Sequence, residues 1–172
     1  MPKLFVSLLF VLISSIATAN SVYADQNLPE YSRIYDEQRD PFKDAAAAIK
    51  LAQQTDRNVL IEIGGTWCTW CHKMDAFLEA NPNVATALHD NFVVLKVSVS
   101  DANENEAFMK ALPPVLGYPH MYVSTAKGKM LLSKDTAELQ QNGKYSVENW
   151  LSFIDQWQPK ATKALLELQA KN

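Results

Sequence analysis

The chain has 172 residues, with 16 Lys and Arg against 19 Asp and Glu and a formal net charge of −3. That balance, with no arginine run and no basic patch, argues against a nucleic-acid-binding protein. Its 2 cysteines are too few for a disulfide framework, so the sulfur is reserved for chemistry.

Lys3 is followed by the apolar run Leu4 to Ile16 and then by small residues, the pattern of a secretory signal. Ala17-Thr18-Ala19 and Val22-Tyr23-Ala24 both fit a small-x-small cleavage rule. Residues 1–24 are read as a signal peptide cut after Ala24, with a cut after Ala19 as the alternative. The apolar run is short for a bilayer span. No cysteine follows it, which excludes a lipoprotein-type attachment there. Export brings the rest of the chain into a compartment where disulfides persist. Any membrane association would run through an uncleaved signal segment.

Residues 25–39 form a polar lead-in carrying Tyr31, Ile34 and Tyr35. Asp40-Pro41 starts a helix, with Asp as N-cap and Pro in the first position, running to about Gln54. Phe42, Ala45, Ala48, Ile49 and Ala52 make its apolar stripe. Thr55 to Asn58 turns into the strand Val59-Leu60-Ile61-Glu62-Ile63, which Gly64-Gly65 ends. Beyond Cys71, Met74, Phe77 and Leu78 recur at helical spacing, with Lys73, Asp75 and Glu79 opposite. Asn81-Pro82 reads as a second cap and first-position pair, opening a short helix to Leu88. Phe92 to Val99 is the clearest strand. A short helix is expected over Glu106 to Leu112, stopped by Pro113-Pro114. His120 to Thr125 and Met130 to Ser133 read as a hairpin. Ser146 caps a last long helix with Val147, Trp150, Leu151, Ile154 and Trp157 inward. Pro159 interrupts it, and residues 159–172 are read as a helical tail. The strand–helix–strand core implies parallel strands with helices on both faces, and the hairpin adds antiparallel pairing.

The chemistry gathers at Trp67-Cys68-Thr69-Trp70-Cys71-His72, where a strand hands over to a helix. The first turn of a helix carries unpaired N–H groups and the positive end of the dipole. A thiolate is stabilised there, so Cys68 is the expected nucleophile with a lowered pKa. Cys71, one turn further in, would resolve the mixed disulfide that Cys68 forms with a substrate.

With this motif the chain resembles the thioredoxin superfamily, in particular its exported branch, over roughly Asp40 to Trp157. It is also similar to the periplasmic C-terminal domain of the membrane disulfide-reductant transporter. The resemblance implies a three-layer α/β/α fold with a central mixed sheet, a domain over residues 40–158. It implies a thiol–disulfide oxidoreductase with no cofactor, periplasmic, exchanging electrons with protein thiols and disulfides and with an upstream redox partner. Reduction of substrate is favoured over oxidation. By the same resemblance Cys68 attacks and Cys71 resolves. Trp67 shields the site, and Tyr118 offers its backbone to the substrate chain. Pro119 is the cis-proline that faces the disulfide. Glu62 sits where thioredoxins keep a buried acid that takes the proton of Cys71, and Lys96 is its partner. Thr69-Trp70 between the cysteines departs from the usual pairs, and Trp70 is expected to present an aromatic surface to substrate.

Two other chemistries share the motif. Cys68-x-x-Cys71-His72 is the attachment pattern for c-type haem, with Met74, Met109, Met121 or Met130 as axial ligand. Cys68, Cys71, His72 and Met74 are also soft ligands suited to Cu(I). A thioredoxin-like fold acting only as a binding module is the third alternative. The preceding buried strand and the downstream strand-and-proline unit favour disulfide exchange over haem, since c-type cytochromes are mainly helical.

Overall fold

A computed structural model describes residues 31–171. The signal segment and its cleavage positions lie outside the described residues. The chain folds as α1 (Pro41–Thr55), β1 (Asn58–Gly64), α2 (Thr69–Ala80), α3 (Pro82–Asn91), β2 (Phe92–Ser98) and α4 (Glu106–Met109). There follow β3 (His120–Ser124), β4 (Met130–Asp135), a 3-10 turn at Thr136–Leu139, the two-residue strands β5 (Gln140–Gln141) and β6 (Lys144–Tyr145), α5 (Val147–Trp157) and α6 (Pro159–Gln169).

The main sheet has the order β2-β1-β3-β4. β1 pairs parallel with β2, placing Glu62 opposite Lys96, and antiparallel with β3, placing Ile63 opposite His120. β4 closes the far edge against β3. The mixed sheet expected from the sequence is therefore present, with helices on both faces. All seven residues of β1 are buried, which its apolar, β-branched run requires of a strand covered twice. On one face, Leu51 and Ala52 of α1 and Phe108 of α4 pack on Ile61, Val93 and Leu95. On the other, Met74, Leu88 and Trp150 from α2, α3 and α5 pack on Leu60, Val94 and Met121. Each fully buried side chain of this size contributes about 1.5–3 kcal/mol.

Several local expectations shift. Asp40 does cap α1, accepting from the N–H groups of Phe42 and Lys43. Asn81 stands at the cap position of α3, but its side chain makes no capping bond; its amide donates back to the Phe77 carbonyl at 2.7 Å. The proline there still sets the first turn. α4 ends at Met109 rather than Leu112, as the approach to Pro113 turns the chain early. In α1 the buried stripe includes Leu51, while Phe42 is exposed and meets Phe108 edge-on. In α5, Phe153 is buried and Leu151 is outside. The β5–β6 ribbon was not read from the sequence, although Asn142-Gly143 signals it. Both residues take positive φ, 54° and 72°, as a two-residue hairpin loop of this kind demands.

Candidate active site

The site is built where β1 ends. Val99 N–H donates to the Gly64 carbonyl at 2.7 Å, and the Trp67 indole N–H donates to the Val99 carbonyl at 2.6 Å. These two bonds fix the turn that delivers Cys68 to the N-cap of α2. Cys68 has extended backbone there, and its sulfur accepts from the Cys71 N–H at 3.1 Å. A sulfur in the cap position takes the place of the usual capping oxygen and meets the positive end of the helix. Cys68 and Cys71 are joined in a disulfide, with exposures of 3% and 0%. Cys68 is the outer of the two.

Glu62, on the strand that leads into the motif, is 2% exposed. Burial raises its pKa above the ordinary carboxylate value; the charge of Lys96 and a hydrogen bond from Tyr35 pull the other way. The Lys96 ammonium stands 3.6 Å from Glu62 Oε1 and closer still to Asp75 Oδ1. Tyr35, from the lead-in, donates its hydroxyl to Glu62 Oε1. Its ring lies 4.9 Å under the Lys96 ammonium. So Glu62 and Lys96 come together as expected, but in a cluster of four with Asp75 and Tyr35. Sequence reasoning missed these two roles. Asp75 was visible as a polar position on α2, and Tyr35 as an aromatic in a polar segment, but neither pattern names a partner.

In front of the disulfide, Trp67 is 52% exposed and meets the Tyr118 ring edge-on at 5.2 Å. Tyr118 is 40% exposed, and the Tyr118–Pro119 peptide bond is cis. The Pro119 carbonyl accepts from the Thr136 hydroxyl at 2.7 Å. Trp70 is half-buried rather than standing free. Its ring lies edge-on to Tyr145 of β6 at 6.0 Å, and the Lys73 ammonium sits 3.9 Å over its face. The unforeseen ribbon thus supports one of the two residues between the cysteines.

His72 is exposed, and its Nε2 lies 2.7 Å from the Thr66 carbonyl. His120 is fully buried, with Nε2 at 2.9 Å from the Ser133 hydroxyl, and burial lowers its pKa. Among the described residues no three His, Cys, Asp or Glu side chains are grouped to hold a metal ion. Nor is any helix among them long and apolar enough to cross a membrane.

Residues 40–126 match the family described as thioredoxin-like. No curated protein matches the chain. Among solved structures, a disulphide isomerase from Xylella fastidiosa Temecula1 is similar at 25% identity and a TM-score of 0.61, covering 71% of this chain and 94% of that one. The C-terminal domain of Neisseria meningitidis DsbD is similar in its oxidised and reduced forms at 20% identity and a TM-score of 0.53, covering 69% of this chain and 97% of that one. The latter likeness is one of fold.

Proposed function

We propose, from the premise that this chain belongs to the thioredoxin-like family and is a thiol–disulfide oxidoreductase, that it is an exported enzyme which reduces protein disulfides in the periplasm. The single observation that carries the reading is the placement of Cys68. Its sulfur caps α2 and is the more exposed of the pair, with the acid Glu62 buried on the strand that leads into the motif.

In the reduced enzyme, the Cys68 thiolate attacks one sulfur of a substrate disulfide. Helix N–H groups hold its negative charge. Cys71 then attacks Cys68, closing the pair and releasing the substrate as a dithiol. Glu62 serves as the acceptor for the Cys71 proton, and its raised pKa suits it to that exchange. Lys96 holds the Glu62 carboxylate in place. Trp67 and Tyr118 form an exposed aromatic pair for the substrate chain, with Trp70 beside it, and Pro119 shapes the loop that offers the Tyr118 backbone. Export is supported by the apolar run Leu4 to Ile16 and the small-x-small sequences after it. The domain spans residues 40–158, after the lead-in of residues 25–39 and before the tail of residues 159–172. No cofactor enters this scheme, and an upstream dithiol partner returns Cys68–Cys71 to the reduced state.

The test is the redox state of Cys68–Cys71 in cells, trapped by acid and alkylation, together with fractionation. A mostly reduced pair in the periplasmic fraction is expected. A mostly oxidised pair would reverse the direction to oxidase. A covalent haem mass on the purified chain would remove disulfide exchange altogether.

A further inference from the structure

The lead-in has no regular structure over residues 31–39, yet it is fastened to the sheet. β2 is the outer strand, and its Lys96 N–H donates to the Ser32 carbonyl at 3.1 Å. Ser32 is buried there. This tie carries Tyr35 over the end of β1, where its hydroxyl donates to Glu62 Oε1. The same hydroxyl and the resolving sulfur both reach the space beside Gly64. A Cβ at Gly64 would stand 2.6 Å from the Tyr35 hydroxyl oxygen and 2.5 Å from Cys71 Sγ. The oxygen and the sulfur therefore flank the one small space that glycine leaves open.

We infer that Tyr35 is the relay between Cys71 and Glu62: its oxygen receives the proton of the Cys71 thiol as its own proton passes to the Glu62 carboxylate. This rests on the proposed role of Glu62 as proton acceptor, and it supplies the group that connects the two. The electrons balance between the enzyme and its substrate, and solvent water supplies the one further proton. The Cys71 S–H bond breaks and the Tyr35 O–H bond re-forms with that proton, while Glu62 gains an O–H bond. The Cys71 sulfur bonds to Cys68 Sγ, and the bond from Cys68 to the substrate sulfur breaks. The electron pair leaves on the substrate sulfur, which takes a proton from water. The enzyme dithiol is oxidised and the substrate disulfide reduced.

The surroundings suit a relay. Burial, then the charge of Glu62, hold the Tyr35 phenol far above its ordinary range, so it stays a neutral O–H donor. Glu62, Lys96 and Asp75 line a cavity of about 580 Å³ between the lead-in, α2 and α3, which gives the acid an outlet for the proton away from the substrate side. The lead-in is then part of the active site, not a spacer before it.

Stopped-flow reaction with a disulfide peptide separates the first attack from resolution. Tyr35→Phe keeps the ring and is expected to leave the first attack unchanged while slowing resolution about tenfold, with a smaller solvent deuterium effect on that step. Glu62→Gln is run in parallel, and the double variant is expected to be no slower than Glu62→Gln. Normal resolution in Tyr35→Phe with slow resolution in Glu62→Gln overturns the relay and leaves the acid in its role. Normal resolution in both overturns the acid as well. Slowing that multiplies in the double variant means the two residues act separately, and the relay falls. If Tyr35→Phe does not fold, fluorotyrosine at position 35 retains the contacts. Resolution is then expected to follow the acidity of the phenol, and an unchanged rate overturns the inference.

Discussion

Glu62 and Lys96 are partners in the β1–β2 register, yet the Lys96 ammonium is 3.6 Å from Glu62 Oε1 and only 2.5 Å from Asp75 Oδ1. Lys96 is a shared cation, and its nearer anion comes from α2. Removing one partner of a buried ion pair ordinarily costs about 3 kcal/mol, because a charge is stranded. Here the lysine keeps Asp75 when Glu62 is replaced, so that penalty is largely avoided.

The pH dependence of stability follows from the same cluster. Burial raises the Glu62 pKa above its ordinary value of 4.5. The folded state thus holds this proton more tightly than the unfolded chain does. The resulting stability is fully present below the unfolded value and is lost as pH rises through the raised folded value. Glu62→Gln carries no such proton. Its stability relative to the unsubstituted protein is expected to improve as pH rises above the unfolded carboxylate value and to level off once the folded acid has ionised, read from urea midpoints of both oxidised proteins. A pH-independent difference would mean that Glu62 is not shifted upward by folding.

The Cys68 sulfur accepts the Cys71 N–H at the start of α2. In a Cys71→Ser variant, the rate of Cys68 alkylation against pH should give a thiol pKa below the free value of about 8.5. The same variant should accumulate mixed disulfides in cells, and Cys68→Ser should not. An unshifted pKa would show that the buried acids cancel the helix terminus. Trapping by Cys68→Ser instead would exchange the two roles.

What the sequence made legible was what depends on short-range pattern. The β-branched run Val59 to Ile63, the glycines after it and the Cys-x-x-Cys step located the strand, the turn and the helix start within one stretch. The hydrophobic periods of α1, α2 and α5 placed those helices on the sheet, although choosing the inward residues failed for Leu51 and Phe153. Less legible were contacts made across the fold. Asp75 meets Lys96 from 21 residues away, and Tyr35 meets Glu62 from 27. No periodicity marks such a pair, since each depends on how separate elements dock. Tyr145 is a middle case: the Asn142-Gly143 turn announces its ribbon, but not that the ribbon will support Trp70.

The tail illustrates the same point. The sequence predicts a helical tail after Pro159 but names no contact for it, and in α6 Thr162 is 2% exposed. Its hydroxyl accepts from the Asn58 amide at 3.0 Å, and that amide also donates to the Trp157 carbonyl at 2.9 Å. The tail is thus bonded to the first residue of β1. Thr162→Val keeps the shape and removes the acceptor, while Asn58 keeps one partner. A loss of about 1 kcal/mol is expected in urea unfolding. No loss would mean that α6 adds nothing to the stability of the sheet.

Gly64 offers the sharpest structural test, because it separates the sulfur from the phenol. Its φ is not in the left-handed region, so the need for glycine there is one of space. A Cβ would lie 2.5 Å from Cys71 Sγ, 2.6 Å from the Tyr35 hydroxyl and 2.8 Å from the ring carbon that bears it. Neither neighbour is the free end of a flexible chain. The sulfur is locked in the disulfide, and the ring is held by Glu62. Overpacking of a filled site costs about 1–3 kcal/mol, and Gly64→Ala should lose that much in the oxidised protein. Reduction frees the Cys71 sulfur to turn aside, so the dithiol form should lose less. By the thermodynamic cycle, the disulfide of the variant must then be easier to reduce. Calorimetric melting of both forms, with equilibration against glutathione, measures all three quantities. An equal loss in the two forms, with an unmoved glutathione equilibrium, would place the crowding on Tyr35 alone.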